Sequence, residues 1–261
     1  MKRTTRLTAA LAAVTLAGLL SAGLGAGNRE PAASDVRALP AAPASVLQIG
    51  RPQRLSSGRY LSRWTVVRAA TAAHARPSAS SRVVAELAAS APEGTPNLLT
   101  VLHARRGADG GLWVKVRLPV LPNGSVGWVQ RRSLGPYSTV DTHLVVDRAR
   151  LRATLYRAGR LVFSAPVGVG TGAWPTPVGE FAVRSELTRY ASPFYGPISF
   201  GTTARSAVLT DWPDGGFVGV HGTDEPWLLP GRVSHGCIRL RNRDILRLEA
   251  LLPIGTPLTI R

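Results

Sequence analysis

The chain holds a single cysteine, Cys237, and the seventeen residues that end on it contain two of its five histidines, His221 and His235. A thiol attacks an acyl carbon only as thiolate, so it needs a neighbour that lowers its pKa and carries its proton. Imidazole suits that work because its unperturbed pKa, about 6.5, lies close to working pH. The segment runs His221-Gly-Thr-Asp-Glu-Pro-Trp-Leu-Leu-Pro-Gly-Arg-Val-Ser-His-Gly-Cys-Ile-Arg-Leu-Arg-Asn. His221 closes an apolar run, Phe217-Val-Gly-Val, that reads as a strand, whereas Cys237 follows a Ser234-His235-Gly236 turn. A strand end and a loop brought together would set both side chains in one cleft. Gly236 permits a tight turn and lets backbone N–H groups approach a substrate carbonyl, which is how an oxyanion hole is built.

Plainer readings compete with this one. A lone cysteine is usually a buried small hydrophobe. His221, His235 and Cys237 together could ligate zinc, although no second cysteine or ligand-spaced carboxylate completes the set. His235 could serve only its own loop, and Arg239 could be a surface charge beside Arg241 and Arg243. Thr176–Pro177 reads as a structural turn. By proximity His235 is the natural partner of Cys237, since side chains at i and i+2 of an extended segment share a face. A base must also be held rigidly, and that favours His221 at its strand end.

The elements that would position these groups are mostly strands. From Ser138 onward, Leu144–Val146, Ala153–Tyr156, Leu161–Pro166, Phe181–Val183, Ile198–Phe200, Ala207–Leu209, Phe217–Val220 and Pro257–Ile260 alternate or run apolar between Gly, Pro and Asp. One helix is expected from about Arg243 to Leu252, with Asn242 as N-cap, Asp244 in the first turn, Ile245, Leu248 and Leu252 on one face and Pro253 as the stop. Upstream, Trp64–Val67, Val83–Leu87, Leu98–Leu102, Leu112–Val116 and Val126–Val129 are short β-like runs separated by Gly/Pro turns, the pattern of a small barrel or sandwich. Trp113 and Trp128 read first as core aromatics of that module.

With 44% hydrophobic and 18% charged residues the chain can bury one or two cores and is not a disordered protein. Its 32 basic and 15 acidic residues give a net charge of +17, which favours anionic partners, but no Lys/Arg run reaches the length of a nucleic-acid patch. Lys2, Arg3 and Arg6 precede an uncharged stretch over residues 7–26, so residues 1–30 are expected to be a signal peptide or a membrane anchor. An Ala/Pro-rich linker is expected over residues 31–58. A lone thiol in an exported chain can form no internal disulfide, which makes Cys237 the residue to explain.

The Ser234-His-Gly-Cys-Ile-Arg239 run, following His221-Gly222 across a loop, resembles the catalytic signature of the L,D-transpeptidase (YkuD-type) family. Thr176-Pro-Val-Gly-Glu-Phe resembles that family's Thr-Pro-x-Gly-x-Phe turn, and Leu144-Val-Val-Asp with Leu155-Tyr its opening hairpin. Gly111-Leu-Trp-Val-Lys-Val-Arg-Leu with Asn123-Gly-Ser-Val-Gly-Trp-Val-Gln resembles the last hairpin of bacterial SH3-like domains. The resemblance implies a mainly β protein: an SH3-like barrel over residues 59–136 and a transpeptidase β-sandwich with one short helix over residues 138–261. It further implies Cys237 as nucleophile and His221 as base. Gly222 would orient the imidazole through its backbone, and His235, Arg239, Ser234 and Gly236 would line the donor-peptide pocket. The implied reaction releases the terminal D-alanine of a tetrapeptide stem and forms a 3→3 cross-link through a thioester, with no metal or cofactor; a carbapenem would acylate the same thiol. The expected partners are peptidoglycan stem peptides and the cell wall, with no nucleic acid. The protein is expected to be exported, to the cell wall or the outer face of the cytoplasmic membrane, and to be a monomer.

Overall fold

The computed structural model describes residues 52–57, 61–188, 192–210 and 216–261. The export segment expected over 1–30 and most of the linker expected over 31–58 therefore lie outside the described residues. The described residues belong to one compact unit. Among the described residues no helix is long and apolar enough to cross a membrane.

The first sheet is built from Gln53–Arg54 (β1), Ser62–Val66 (β2), Thr71–His74 (β3), Val83–Leu87 (β4), Leu98–Arg106 (β5), Leu112–Arg117 (β6), Val126–Gln130 (β7) and Ser138–Val140 (β8). Its order is β4-β3-β7-β6-β5-β2-β8, with β1 also on β5. The five runs expected from the sequence are all strands, but β1, β3 and β8 were not legible. Composition placed β1 in the linker, yet Gln53 and Arg54 pair with Ala104 and His103. The ladder extends β5 past its apolar residues, and backbone pairing needs no apolar side chain. Val67, Leu99, Val101, Val114, Val116 and Val129 are central to a core of this sheet's own. Trp113 and Trp128 are buried, so both rings are core aromatics.

The second sheet comprises Thr142–Asp147 (β9), Arg152–Arg157 (β10), Arg160–Pro166 (β11), Gly168–Gly170 (β12), Gly179–Leu187 (β13), Ser199–Arg205 (β14), Phe217–His221 (β15), Gly231–Ser234 (β16), Ile238–Arg239 (β17) and Pro257–Ile260 (β18). Its order is β11-β10-β9-β18-β13-β14-β15-β17-β12-β16. Alternation shows plainly in β9, where Thr142, Leu144 and Val146 are buried and the residues between them are not. β13 serves both halves: Gly179–Ala182 pair with β18, and the strand from Val183 on pairs with β14. The two halves share one core with the helix Asn242–Glu249 (α1), which contributes Ile245 and Leu248.

Three expectations change here. Asn242 is not the N-cap of α1; it is the first helical residue, and its Oδ1 accepts the Thr223 N–H at 2.9 Å, because the loop after His221 lies against this helix start. The helix also stops at Glu249, beyond which Leu251 and Leu252 donate three residues back to Leu248 and Glu249 in a tighter turn. Ala207–Leu209 is not a strand either. Ser206 Oγ accepts the N–H groups of Val208 and Leu209, and a hydroxyl that satisfies successive amides curls the chain out of any ladder.

The sheets meet at specific contacts. Arg184 on β13 pairs with Glu93 at 2.7 Å, both side chains under a tenth exposed. Asn123 holds the backbone of Arg205 on β14 from both sides, donating to its carbonyl at 2.7 Å and accepting its N–H at 3.1 Å. Trp64 lies so close over Gly255 that a Cβ there would fall 2.0 Å from the indole.

Candidate active site

Strands β15 and β17 run parallel, with Val220 opposite Ile238 and His221 opposite Arg239. Cys237 directly precedes β17 and so stands level with Gly219. Side chains at 219, 221, 237 and 239 share a face, since alternate strand residues point the same way. Position 219 carries no side chain, and the thiol of Cys237 and the imidazole of His221 both lie beside it. The Gly219 N–H donates to Cys237 Sγ at 3.3 Å, and a Cβ at 219 would meet Cδ2 of His221 at 3.8 Å. The imidazole and the thiol line one cleft, with Phe194, Tyr195, Ser234, His235 and Arg239 among its other walls.

His221 is 1% exposed. Its Nδ1 lies 2.6 Å from the carbonyl oxygen of Gly222. A carbonyl only accepts, so Nδ1 carries the proton and the lone pair is on Nε2. Nε2 is buried and makes no hydrogen bond among the described residues. The rings of Phe194 and Tyr195, on a single 3₁₀ turn, flank the imidazole at 6.1 and 5.0 Å. Gly222 must be small: a Cβ there would fall 2.4 Å from Asn242 Oδ1 and 3.0 Å from the backbone of Gly196.

Burial in these surroundings draws the His221 pKa from 6.5 down to about 4; the Gly222 carbonyl pulls it back up, and the nearby Arg239 charge lowers it further. Burial also pushes the Cys237 thiol up, against smaller downward pulls from the Gly219 amide and Arg239. The sequence suggested an imidazole that holds its partner as thiolate. Both shifts run against a resting thiolate–imidazolium pair, because burial disfavours the imidazolium and the thiolate alike.

The remaining expected residues fall around this pair. Ser234 Oγ donates to the Cys237 carbonyl at 2.6 Å and accepts the Gly236 N–H at 3.1 Å, closing the turn that carries the thiol. Gly236 has φ +116°, a backbone state that side-chain-bearing residues rarely adopt. His235 is exposed on the rim, its ring tilted against that of Trp174 with centroids 4.4 Å apart. Arg239 is not a surface charge like Arg243. It is 3% exposed, pairs with Glu225 at 3.0 Å and lies 4.4 Å over the Phe194 ring.

Sequence reasoning passed over Gly219, Phe194, Tyr195, Trp174, Glu225 and Asn242. Only Gly219 carried a usable signal, since a glycine inside an apolar strand marks a close approach by another group. The others reach the site by tertiary contact. Among the described residues no group of three or more His, Cys, Asp or Glu side chains stands together as a metal site.

Comparison with known proteins bears on residues 141–260, which match the profile of the L,D-transpeptidase catalytic domain, YkuD. The putative L,D-transpeptidase YkuD of Bacillus subtilis is 34% identical over 125 residues, covering 48% of this chain and 68% of that protein. The protein of the same description from Bacillus licheniformis is 38% identical over 122 residues, covering 47% and 67%. Among solved structures, the catalytic domain of the E. faecium L,D-transpeptidase aligns with 46% of this chain and 97% of its own at 23% identity. Its TM-score, 0.36, is too low to carry structural detail across.

Proposed function

The chain belongs to the L,D-transpeptidase catalytic domain family, and from that membership we propose that it transfers acyl groups between peptidoglycan stem peptides through a thioester on Cys237. The observation that carries this reading is the convergence at Gly219. A thiol accepting the Gly219 amide and an imidazole whose tautomer leaves Nε2 as the base meet over a position with no side chain.

The chemistry follows from a neutral pair. As Sγ attacks the carbonyl carbon of the third stem residue, the S–C bond forms, the carbonyl π pair moves to oxygen and the thiol proton passes to Nε2. Collapse breaks the C–N bond, and the departing amine of D-alanine takes that proton, leaving the thioester. An acceptor amine on a neighbouring stem then attacks, gives its proton to Nε2 and displaces the sulfur, which is reprotonated as the 3→3 amide forms. Between proton transfers Nδ1–H stays bonded to the Gly222 carbonyl, so the ring does not turn. Arg239 brings positive charge and Ser234 and Gly236 shape the turn, while His235 on the rim is placed for contact with the donor peptide. No metal or cofactor enters this scheme.

The upstream β module, residues 59–136, fits the role of an SH3-like element that positions the enzyme on the wall, and residues 1–30 that of an export signal or anchor. The enzyme would act outside the cytoplasmic membrane as a monomer. Incubating the purified protein with a disaccharide-tetrapeptide muropeptide and reading products by mass tests the proposal. Cross-linked dimer is expected. Tripeptide alone would make the protein a carboxypeptidase with water as acceptor, and no product would leave it a wall-binding protein with an idle site.

A further inference from the structure

Thr176 lies sixty residues before Gly236 in sequence, yet its hydroxyl is bonded into the thiol's turn. Its Oγ1 donates to the Gly236 carbonyl at 2.7 Å and accepts the Gly170 N–H at 2.8 Å. Both directions are unambiguous, because a carbonyl only accepts and an amide only donates. The residue is 1% exposed, so water cannot replace either bond at no cost. Its own carbonyl is held by Arg148 at 2.7 Å, which anchors Thr176 from the far side as well.

The Gly236–Cys237 peptide is planar, and in a trans peptide the C=O and N–H point in opposite directions. A hydroxyl that fixes the Gly236 carbonyl therefore fixes the aim of the Cys237 N–H, away from Thr176. Among the described residues that amide makes no hydrogen bond: Ser234 takes the Gly236 N–H and donates to the Cys237 carbonyl, and β17 pairs with β15 from Ile238 and with β12 at Arg239. The peptide also follows a glycine at φ +116°, whose backbone freedom leaves the peptide plane to be set by its neighbours.

We propose that Thr176 is a positioning residue for acyl transfer: by holding the Gly236 carbonyl, its buried hydroxyl aims the Cys237 amide at the oxyanion that develops on the substrate. This rests on the reading of Cys237 as the acylated nucleophile. Thr176 touches no reacting atom; it acts through one peptide plane.

The test sets two reactions of the same thiol against each other in the full-length protein. A carbapenem acylates Cys237 through a tetrahedral oxyanion: the S–C bond forms, the lactam C–N bond breaks and the thiol proton ends on the ring nitrogen. Iodoacetamide alkylates the same sulfur by displacing iodide from a saturated carbon, with no oxyanion. In Thr176→Val, acylation should slow by about ten- to a hundredfold, up to the loss seen when one oxyanion donor is removed, with alkylation little changed. Thr176→Ser, which keeps the hydroxyl, should restore most of the acylation rate. Should the valine variant fail to fold, Thr176→Ala against Thr176→Ser makes the same comparison, since both lack the methyl and differ only in the hydroxyl. Equal slowing of both reactions, or no slowing of either, would overturn the positioning role. A wild-type protein that takes no carbapenem at Cys237 would instead overturn the functional reading on which it rests.

Discussion

On the proposed mechanism, replacing His221 with alanine removes a base whose pKa is set by its surroundings, and the pH dependence of acylation should report it directly. The wild-type ring is 1% exposed and its pKa is drawn from 6.5 to about 4, mainly by burial. As pH falls through that value Nε2 gains a proton and can no longer accept the thiol's. Carbapenem acylation should therefore be level through neutral pH and fall about tenfold per unit below its acid limb near pH 4. Losing a positioned base costs about 10²- to 10⁴-fold in rate, equivalent to about 3–5 kcal/mol of barrier. In His221→Ala only thiolate made by free ionisation reacts. Its rate should rise with pH across the neutral range, because burial pushes that thiol up, and should show no limb near 4. His235→Ala should keep the limb and lose mainly donor turnover, since that ring is on the rim against Trp174. Rates by mass spectrometry across pH decide the matter. A wild-type limb near the ordinary imidazole value of about 6.5, or a limb near 4 that survives in His221→Ala and vanishes in His235→Ala, would refute the assignment.

The same shift is also a stability term. A base whose pKa is lower folded than unfolded costs nothing above pH 6.5 and destabilises progressively as pH falls toward 4, by about 3 kcal/mol once both values are passed; urea unfolding of His221→Gln should lack that part of the acid loss. Cys237→Ser should take no carbapenem mass while keeping the wild-type melting temperature, and a persisting adduct would put the nucleophile elsewhere. Glu93→Gln withdraws the charge that faces Arg184 in a pair with both partners nearly buried, so unfolding free energy should drop by about 3 kcal/mol, the low end for breaking such a pair. A loss under about 1 kcal/mol would mean the pair behaves like an exposed one.

What could be read from the sequence was whatever a short segment determines by itself. Phe217–His221 alternates enough to be a strand, Ser234–Cys237 is a turn by its residue types, and Ile245 and Leu248 mark a helix face. β12, β16 and β17 escaped because they are two to four residues long and are strands only through their partners. Asn242 shows the limit within a motif: its type favours an N-cap, but the loop after His221 offers its side chain a better partner in the Thr223 amide.

The electrostatics of the site were hidden for a related reason. A Cys–His pair in a sequence suggests an ion pair, since each residue can stabilise the charged form of the other. Whether it does depends on the solvation of both charges. Here Phe194 and Tyr195 close over the imidazole, and Arg239 arrives already paired with Glu225 and packed on Phe194. Arg239 favours a thiolate and opposes an imidazolium, so it cannot stabilise the ion pair as a whole, and burial disfavours both members. During attack positive charge develops on the imidazole, where the Gly222 carbonyl meets it, and negative charge on the substrate oxygen, which needs a donor of its own. That makes the direction of one amide matter more than the resting pKa of the thiol, and it is why a hydroxyl far away in sequence, on Thr176, can be expected to govern acylation while leaving alkylation alone.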